Sequence, residues 1–237
     1  MIRSTVNPYD LIANSYQEIA DVRKNYIHSV DKLIIKYAPQ KAISMLDVGS
    51  GDGKRAMALA KELKVKNITL CDSSQEMVKL CQKLKPTKVF FCKAEEIPIN
   101  QQYDIVTCLW NVLGHIESNI KRIEALRRMS KSLNNNGVLF FDVNNRYNAS
   151  AYGNFNVVCR MVIDRIFPND SRGDTSYNWI IKDKQIPSMG HLFTPGEVDN
   201  LIIKTGLKIV KKIAVDYLTG KISNSLLRGQ LLYILKL

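Results

Sequence analysis

The sequence predicts an α/β protein: a doubly wound, mostly parallel sheet of seven strands, ended by an antiparallel C-terminal strand pair. Three observations predict it. Over the first 143 residues short apolar runs alternate with helical-period stretches, the pattern of strands joined by crossover helices. The first run is followed at once by Gly49, Gly51 and Gly53. The last two runs, 207–217 and 229–237, are separated by only a polar turn region, so they pair antiparallel.

Taking the elements in order, residues 8–37 have helical period, with Leu11, Ile12, Ile19, Ile27, Val30, Leu33, Ile34 and Tyr37 on an apolar face, and Pro39 stops them. Residues 43–48 form strand one. A helix with Ala56, Leu59, Ala60 and Leu63 follows, then strand two at 67–71, ending at Asp72. Residues 74–84 make a helix broken before Pro86; strand three spans 89–92 and strand four 103–109. A long helix, 117–133, leads through a turn at 134–137 into strand five, 138–143. From 144 to 190 the alternation lapses. Thr194-Pro195-Gly196-Glu197 is a capping box with proline at the first helical position, and that helix ends at Gly206.

The 237 residues and 26.9 kDa fit a single domain, 1–237. With 46% hydrophobic and 24% charged residues, the chain can bury roughly 70% of its unfolded surface without staples. A disordered tail, a collagen-like fibre and a disulfide scaffold are thereby excluded. Stretches such as 105–112 and 138–141 are strand-sized, far short of the ~20 apolar residues of a spanning helix. The N-terminus, Met1 to Pro8, lacks the apolar core of a secretory signal. Cys71, Cys81, Cys92, Cys108 and Cys159 are odd in number and hold no CxxC spacing. They read as reduced thiols of a cytoplasmic protein, with no metal site.

The net charge of +12 raises a nucleic-acid hypothesis. It is spread evenly: residues 1–143 carry 21 Lys and Arg against 15 Asp and Glu, and 144–237 carry 13 against 7. The clusters Lys54, Arg55, Lys61, Lys64, Lys66 and Lys121, Arg122, Arg127, Arg128, Lys131 lie in helical stretches and read as solvated outer faces. No aromatic interleaving or RNA-binding module accompanies them.

In such sheets ligands bind beyond the carboxyl ends of the strands. There stands Asp47-x-Gly49-x-Gly51-x-Gly53, whose glycines let the backbone turn tightly and approach a ligand. Asp72, about 20 residues on at the end of strand two, can accept both hydroxyls of a ribose. A nicotinamide-binding turn is the rival reading, but its third glycine would fall where Lys54 stands. A turn that merely joins strand to helix is the bland alternative.

These residues resemble the class I S-adenosylmethionine-dependent methyltransferases, and the likeness runs from Tyr9 to Leu237. Residues 46–53, Leu-Asp-Val-Gly-Ser-Gly-Asp-Gly, are similar to that family's first motif; the likeness assigns Asp47, Gly49, Ser50 and Gly51 to the methionine moiety of S-adenosyl-L-methionine (AdoMet). By the same likeness Asp72 and Ser73 would hold the ribose, Met77 would flank the adenine, and Ala94 and Glu95 would form the adenine loop. Many members have Asp where Lys93 stands here, so the adenine amino group must find another acceptor. Tyr9-Asp10-x-Ile12-Ala13-x-x-Tyr16 resembles the N-terminal lid, which implies a lid over 1–40 with Tyr9, Tyr16 and Arg23 against the cofactor. The fold implied is Rossmann-like, and the product would be S-adenosyl-L-homocysteine.

Residues 109–116, Leu-Trp-Asn-Val-Leu-Gly-His-Ile, resemble the segment after strand four of small-molecule N-methyltransferases. That likeness puts Leu109 and Trp110 beside the adenosine and His115 near the transferred methyl, as base or orienting group, unless it only caps the next helix. His191 precedes the capping box as a substrate-side candidate or a local turn bond; His28 reads as surface or core. Asn144-Asn145-Arg146-Tyr147 leaves strand five at the ligand edge, making Tyr147 a further catalytic candidate. Residues 144–190, with Tyr152, Phe155, Tyr177 and Trp179, would then be the acceptor cap. The sequence thus points to methylation of a nitrogen, or less readily an oxygen, of a small molecule by direct displacement. The rivals are an RNA methyltransferase, favoured by charge, and an AdoMet-binding partner protein without catalysis.

Overall fold

A computed structural model describes residues 7–181 and 184–237. Five strands are parallel: β1 (Ser44–Val48), β2 (Asn67–Asp72), β3 (Lys88–Phe91), β4 (Tyr103–Cys108) and β5 (Leu133–Val143). Between them run helices α4 (Lys54–Glu62), α5 (Gln75–Lys83) and α6 (Asn119–Lys131), after the N-terminal α1 (Pro8–Ile12), α2 (Tyr16–Asp21) and α3 (Lys24–Tyr37). After β5 come α7 (Ala149–Tyr152), α8 (Asn154–Ile166), a hairpin of β6 (Asp174–Ile181) and β7 (Lys184–His191), and α9 (Pro195–Ile203). The chain closes with β8 (Lys208–Val215), β9 (Ile222–Ser223) and β10 (Gln230–Lys236).

The main sheet has the order β3-β2-β1-β4-β5-β10-β8-β9, with β10 antiparallel to both β5 and β8. Strand alternation divides the core. Leu46, Val106, Phe141 and Tyr233 pack on one face with α6 and α9, while Met45, Ile105, Phe140 and Leu232 pack on the other with α3 and α4. A sheet covered on both faces needs continuous apolar strands, which is why β1 is buried along its whole length.

Several expectations need adjusting. Among the described residues the main sheet has eight strands, because the two-residue β9 pairs with the edge of β8. The helix expected over 8–37 is three helices and a 3-10 turn, Ala13–Ser15, which redirects the chain across the glycine loop. The turn expected at 134–137 is a bulge within β5: Tyr103 pairs with Leu133 and Ile105 with Val138, while the Asn134 side chain reaches Asp104. The stretch after 148 is ordered into α7, α8 and the hairpin. Arg122 belongs to no solvated face; it is buried, donates to the carbonyl of Leu113 and lies 5.1 Å over the Phe193 ring. Arg55 likewise turns inward to Asp31 at 2.8 Å. His28 is exposed. Residues 1–6, which belong to the expected lid and to the segment read for a secretory signal, lie outside the described residues.

Candidate active site

The carboxyl ends of β1, β2, β4 and β5 converge on one cavity of about 420 Å³, within the size range of cofactor clefts. Its floor is the loop after β1. Gly49 and Gly51 have φ of +71° and +56°, and a Cβ on Gly51 would stand 2.7 Å from the Tyr16 ring. Gly49 and Ser50 donate their backbone N–H groups to the Cys71 carbonyl, tying the loop to β2. Asp72 receives the Gly51 N–H at 2.8 Å and the Ser74 N–H at 2.9 Å. Burial pushes its carboxyl up to about 6 in spite of these donors. Asp47 stands one layer behind: it accepts from Thr107 Oγ1, and burial raises its carboxyl too. With Ser50 it lines a smaller cavity of about 50 Å³ beneath Tyr16 and Trp110.

The N-terminal segment lies over this floor and is bonded to it. Asn7 donates to the Ser73 carbonyl at 3.1 Å, Gln17 to Asp52 at 2.7 Å, and Asp10 accepts the Ser74 hydroxyl at 2.6 Å and the Glu76 N–H at 3.2 Å. Asp10 thereby joins Ser74 at the first turn of α5, where a carboxylate suits the helix dipole. Tyr9, Tyr16 and Arg23 all face the cavity; Arg23 lies 4.3 Å over the ring of Tyr217.

The wall after β4 is strained. Trp110 and Asn111 both have positive φ, +66° and +62°, uncommon for residues other than glycine. The strain is held by buried bonds: Asn111 donates its N–H to Asp142 at 2.8 Å, and its side-chain oxygen accepts the Asn144 N–H at 2.9 Å. Asp142 also receives the Tyr26 hydroxyl at 2.9 Å, and burial raises its carboxyl. Trp110 donates Nε1–H to the Tyr217 hydroxyl at 2.7 Å.

At the far side, His115 Nε2 meets the Tyr9 hydroxyl at 2.9 Å and Nδ1 meets the Met189 carbonyl at 3.0 Å. A carbonyl only accepts, so Nδ1 carries the proton and Nε2 accepts from Tyr9. Burial lowers the imidazole below its ordinary range, which keeps that tautomer neutral. Tyr177 and Trp179, on the inward face of the hairpin, complete this side with Tyr152.

Of the expected site residues, Tyr9, Tyr16, Arg23, Gly49, Gly51, Asp72, Ser73, Leu109, Trp110, His115 and His191 line the cavity. His191 does so with both ring nitrogens taken, by Asp174 at 2.7 Å and by Glu197 of the capping box at 2.9 Å. Tyr147 does not line it; its hydroxyl turns to Asp164 at 3.1 Å. Met77 is fully buried against Ile12 and Ala13, and Ala94 and Glu95 form a 3-10 turn that stands off the cavity, with Glu95 3.9 Å from Lys121. Asn144, expected at the ligand edge, lines the cavity too, while sequence reasoning misses Asn111, Asn178 and Tyr217. Tyr217 was findable: β8 runs parallel to β5, so the residues just past it fall at the ligand edge. A hollow of about 470 Å³ on α5 is lined by Glu76, Lys79, Leu80, Gln82 and Lys83, with Glu76 paired to Lys79 at 2.6 Å.

A family model described as a methyltransferase domain matches residues 46–139. The malonyl-[acyl-carrier protein] O-methyltransferase of Bacillus cereus is 26% identical over 133 residues, 54% of this chain and 48% of the relative. That of Bacillus anthracis is 24% identical over 137 residues, 56% of this chain and 49% of the relative. The chain therefore spans about half the length of these curated relatives. A S-adenosylmethionine-dependent methyltransferase from Clostridium acetobutylicum superposes with a TM-score of 0.67 at 17% identity, covering 98% of this chain and 99% of that one. An amino pentose methyltransferase from Micromonospora echinaspora, solved with S-adenosylmethionine bound, gives 0.64 at 17% identity over 93% and 95% of the two chains. At such identities the structural likeness is one of fold.

Proposed function

We propose that the chain is an AdoMet-dependent methyltransferase that methylates a nitrogen, or less readily an oxygen, of a small molecule; the methyltransferase-domain model that matches residues 46–139 and the fold shared with AdoMet-dependent methyltransferases support this. The observation that carries the reading is the opposition, across one cavity, of Asp72 and the glycine backbone to the Tyr9–His115 pair. The cofactor fits the first half. Asp72 keeps lone pairs for ribose hydroxyls, Gly49 and Gly51 leave room for the methionine moiety, and Tyr16 and Arg23 stand above it. Leu109 and Trp110 border the adenosine, while Asp47, Ser50, Ser73, Met77, Ala94 and Glu95 support the loops around it. When bound, AdoMet supplies a methyl already activated by its sulfonium.

The chain's own share is alignment, exclusion of water and handling of one proton. Orientation alone supplies up to roughly 7–11 kcal/mol in favourable cases. For an acceptor that carries a proton, the Tyr9 oxygen takes that proton while the Tyr9 proton passes to His115 Nε2. The Met189 carbonyl holds the imidazolium through Nδ1–H. The aromatic wall of Tyr152, Tyr177 and Trp179 suits a compact acceptor that stacks, which favours a small molecule over a nucleic-acid strand. Neither Tyr147 nor His191 is needed in this scheme.

Label transfer tests the reading. The protein is incubated with methyl-labelled AdoMet and an extract of its source, and label is counted in small-molecule, RNA and protein fractions. Label in small molecules is expected. Label in RNA would make the +12 charge functional and overturn the acceptor class. No label in any fraction, with AdoMet bound, would favour a binding partner without catalysis.

A further inference from the structure

Helix α8 turns its apolar side outward. Its inward residues are Val157, Arg160 and Asp164: Val157 is buried, Arg160 lies 4.1 Å over the Tyr152 ring and donates to the Arg146 carbonyl at 3.0 Å, and Asp164 pairs with Arg146 at 2.8 Å. The opposite stripe is Phe155, Val158, Val162 and Ile166, at the i, i+3, i+7, i+11 spacing of one helix face. Phe155 is 80% exposed and Ile166 60%, and Phe167, just past the helix, is 65% exposed.

Taking ~150–250 Å² for each aromatic side chain and less for the aliphatic ones, the stripe and its flanks present on the order of 600–700 Å² of apolar surface. That lies at or above the ~300–600 Å² of the largest patch on a typical monomer. It approaches the ~800 Å² that each partner contributes to a standard interface.

We propose that this face of α8 is the contact between two copies of the chain, packed antiparallel about a twofold axis near Val162. The stripe is suited to pairing with itself, since phenylalanines stand at both ends, Phe155 and Phe167. Antiparallel packing sets the N-terminal end of each helix beside the C-terminal end of the other, so their dipoles attract. Charge argues for a protein rather than a lipid partner. A helix lying on an anionic bilayer carries a basic rim, whereas here Arg160 is engaged inward and Arg165 is the charged residue left exposed on α8. The contact also bears on the cavity, because Arg160 packs on Tyr152 and Tyr152 lines the acceptor side. The proposal stands independently of the methyl-transfer reading.

Sedimentation velocity on the whole chain tests it. The wild type is expected to dimerise as its concentration rises. Because each copy carries +12, the dimer should tighten with added salt. Replacing both Val158 and Val162 with Glu should weaken the dimer about 100-fold or more. Ile203→Glu, at an exposed site on α9, should leave it unchanged. All these sites are solvent-facing, and thermal melts check that each variant folds. A wild type that is monomeric throughout, or a dimer that survives the double replacement, would overturn the proposal. So would wild-type protein that pellets with phosphatidylglycerol vesicles while the double variant does not, since α8 would then be a lipid-binding face.

Discussion

Replacing Asp72 with alanine, set beside the pH dependence of the wild type, tests the cofactor half of the site. Asp72 is 8% exposed, accepts the backbone N–H groups of Gly51 and Ser74, and lines the cavity. A hydrogen bond to a charged group contributes about 1.5–3 kcal/mol, so Asp72→Ala should weaken AdoMet about 10–100-fold. The wild type reports the same carboxylate without mutation. Burial places its pKa at about 6, so only about one molecule in ten is charged at pH 5, and affinity there should fall as much as ~10-fold below its value at pH 7.5. In the alanine variant that slope should vanish. Stability runs the other way. The folded carboxyl sits above its unfolded value of 3.8, so its contribution, about 3 kcal/mol, is fully present below pH 3.8 and lost as pH rises through 6. Isothermal titration with AdoMet and S-adenosyl-L-homocysteine at several pH values is the assay. Unchanged affinity in Asp72→Ala, or a slope that persists in it, would refute the assignment.

Three further outcomes follow from the geometry. With the acceptor in hand, Tyr9→Phe and His115→Ala should each lower turnover by about 10²–10⁴ at unchanged AdoMet affinity; wild-type activity should fall only as pH drops below the ordinary histidine range, because burial lowers His115, and full activity in both variants would reduce the pair to structure. Gly51→Ala adds a Cβ at φ +56°, 2.7 Å from Tyr16, and should cost about 1–3 kcal/mol in urea unfolding together with most of the AdoMet affinity. His191→Ala removes the ring that bonds Asp174 through Nδ1 and Glu197 through Nε2 and should cost about 1.5–3 kcal/mol of stability with AdoMet affinity intact. Lost turnover at full stability would instead make His191 catalytic.

The glycine loop, Asp72 at a strand end and the apolar runs of β1, β4, β5 and β10 were legible because local pattern and tertiary role coincide there. In the cap they diverge. Apart from Val157, the long apolar residues of α8 face outward, so their period marks no core, and the hairpin alternates Tyr177 and Trp179 with polar residues around Pro187 and Gly190. Arg122 reads as surface because a guanidinium usually is; the carbonyl of Leu113 and the Phe193 ring that bury it come from distant turns. The bulge at Asn134 reads as a turn for the same reason: its polar run meets Asp104, a partner 30 residues away. The match of Tyr9 to His115 spans 106 residues and lies beyond any local pattern.

The bonds that seat Asn7, Asp10 and Gln17 on the floor have a kinetic meaning. The Tyr16 ring lies against the Gly51 backbone and edge-on to Trp110 at 5.5 Å, so the N-terminal segment covers part of the glycine loop. Lifting it breaks the bonds to Ser73, Ser74, Glu76 and Asp52 together, and also parts Tyr9 from His115. On the proposed reading, a lift that exchanged spent for fresh cofactor would part the Tyr9–His115 pair in the same motion. Such a chain would run its cycle at the pace of that segment's opening, with product departure rather than methyl transfer as the slow event.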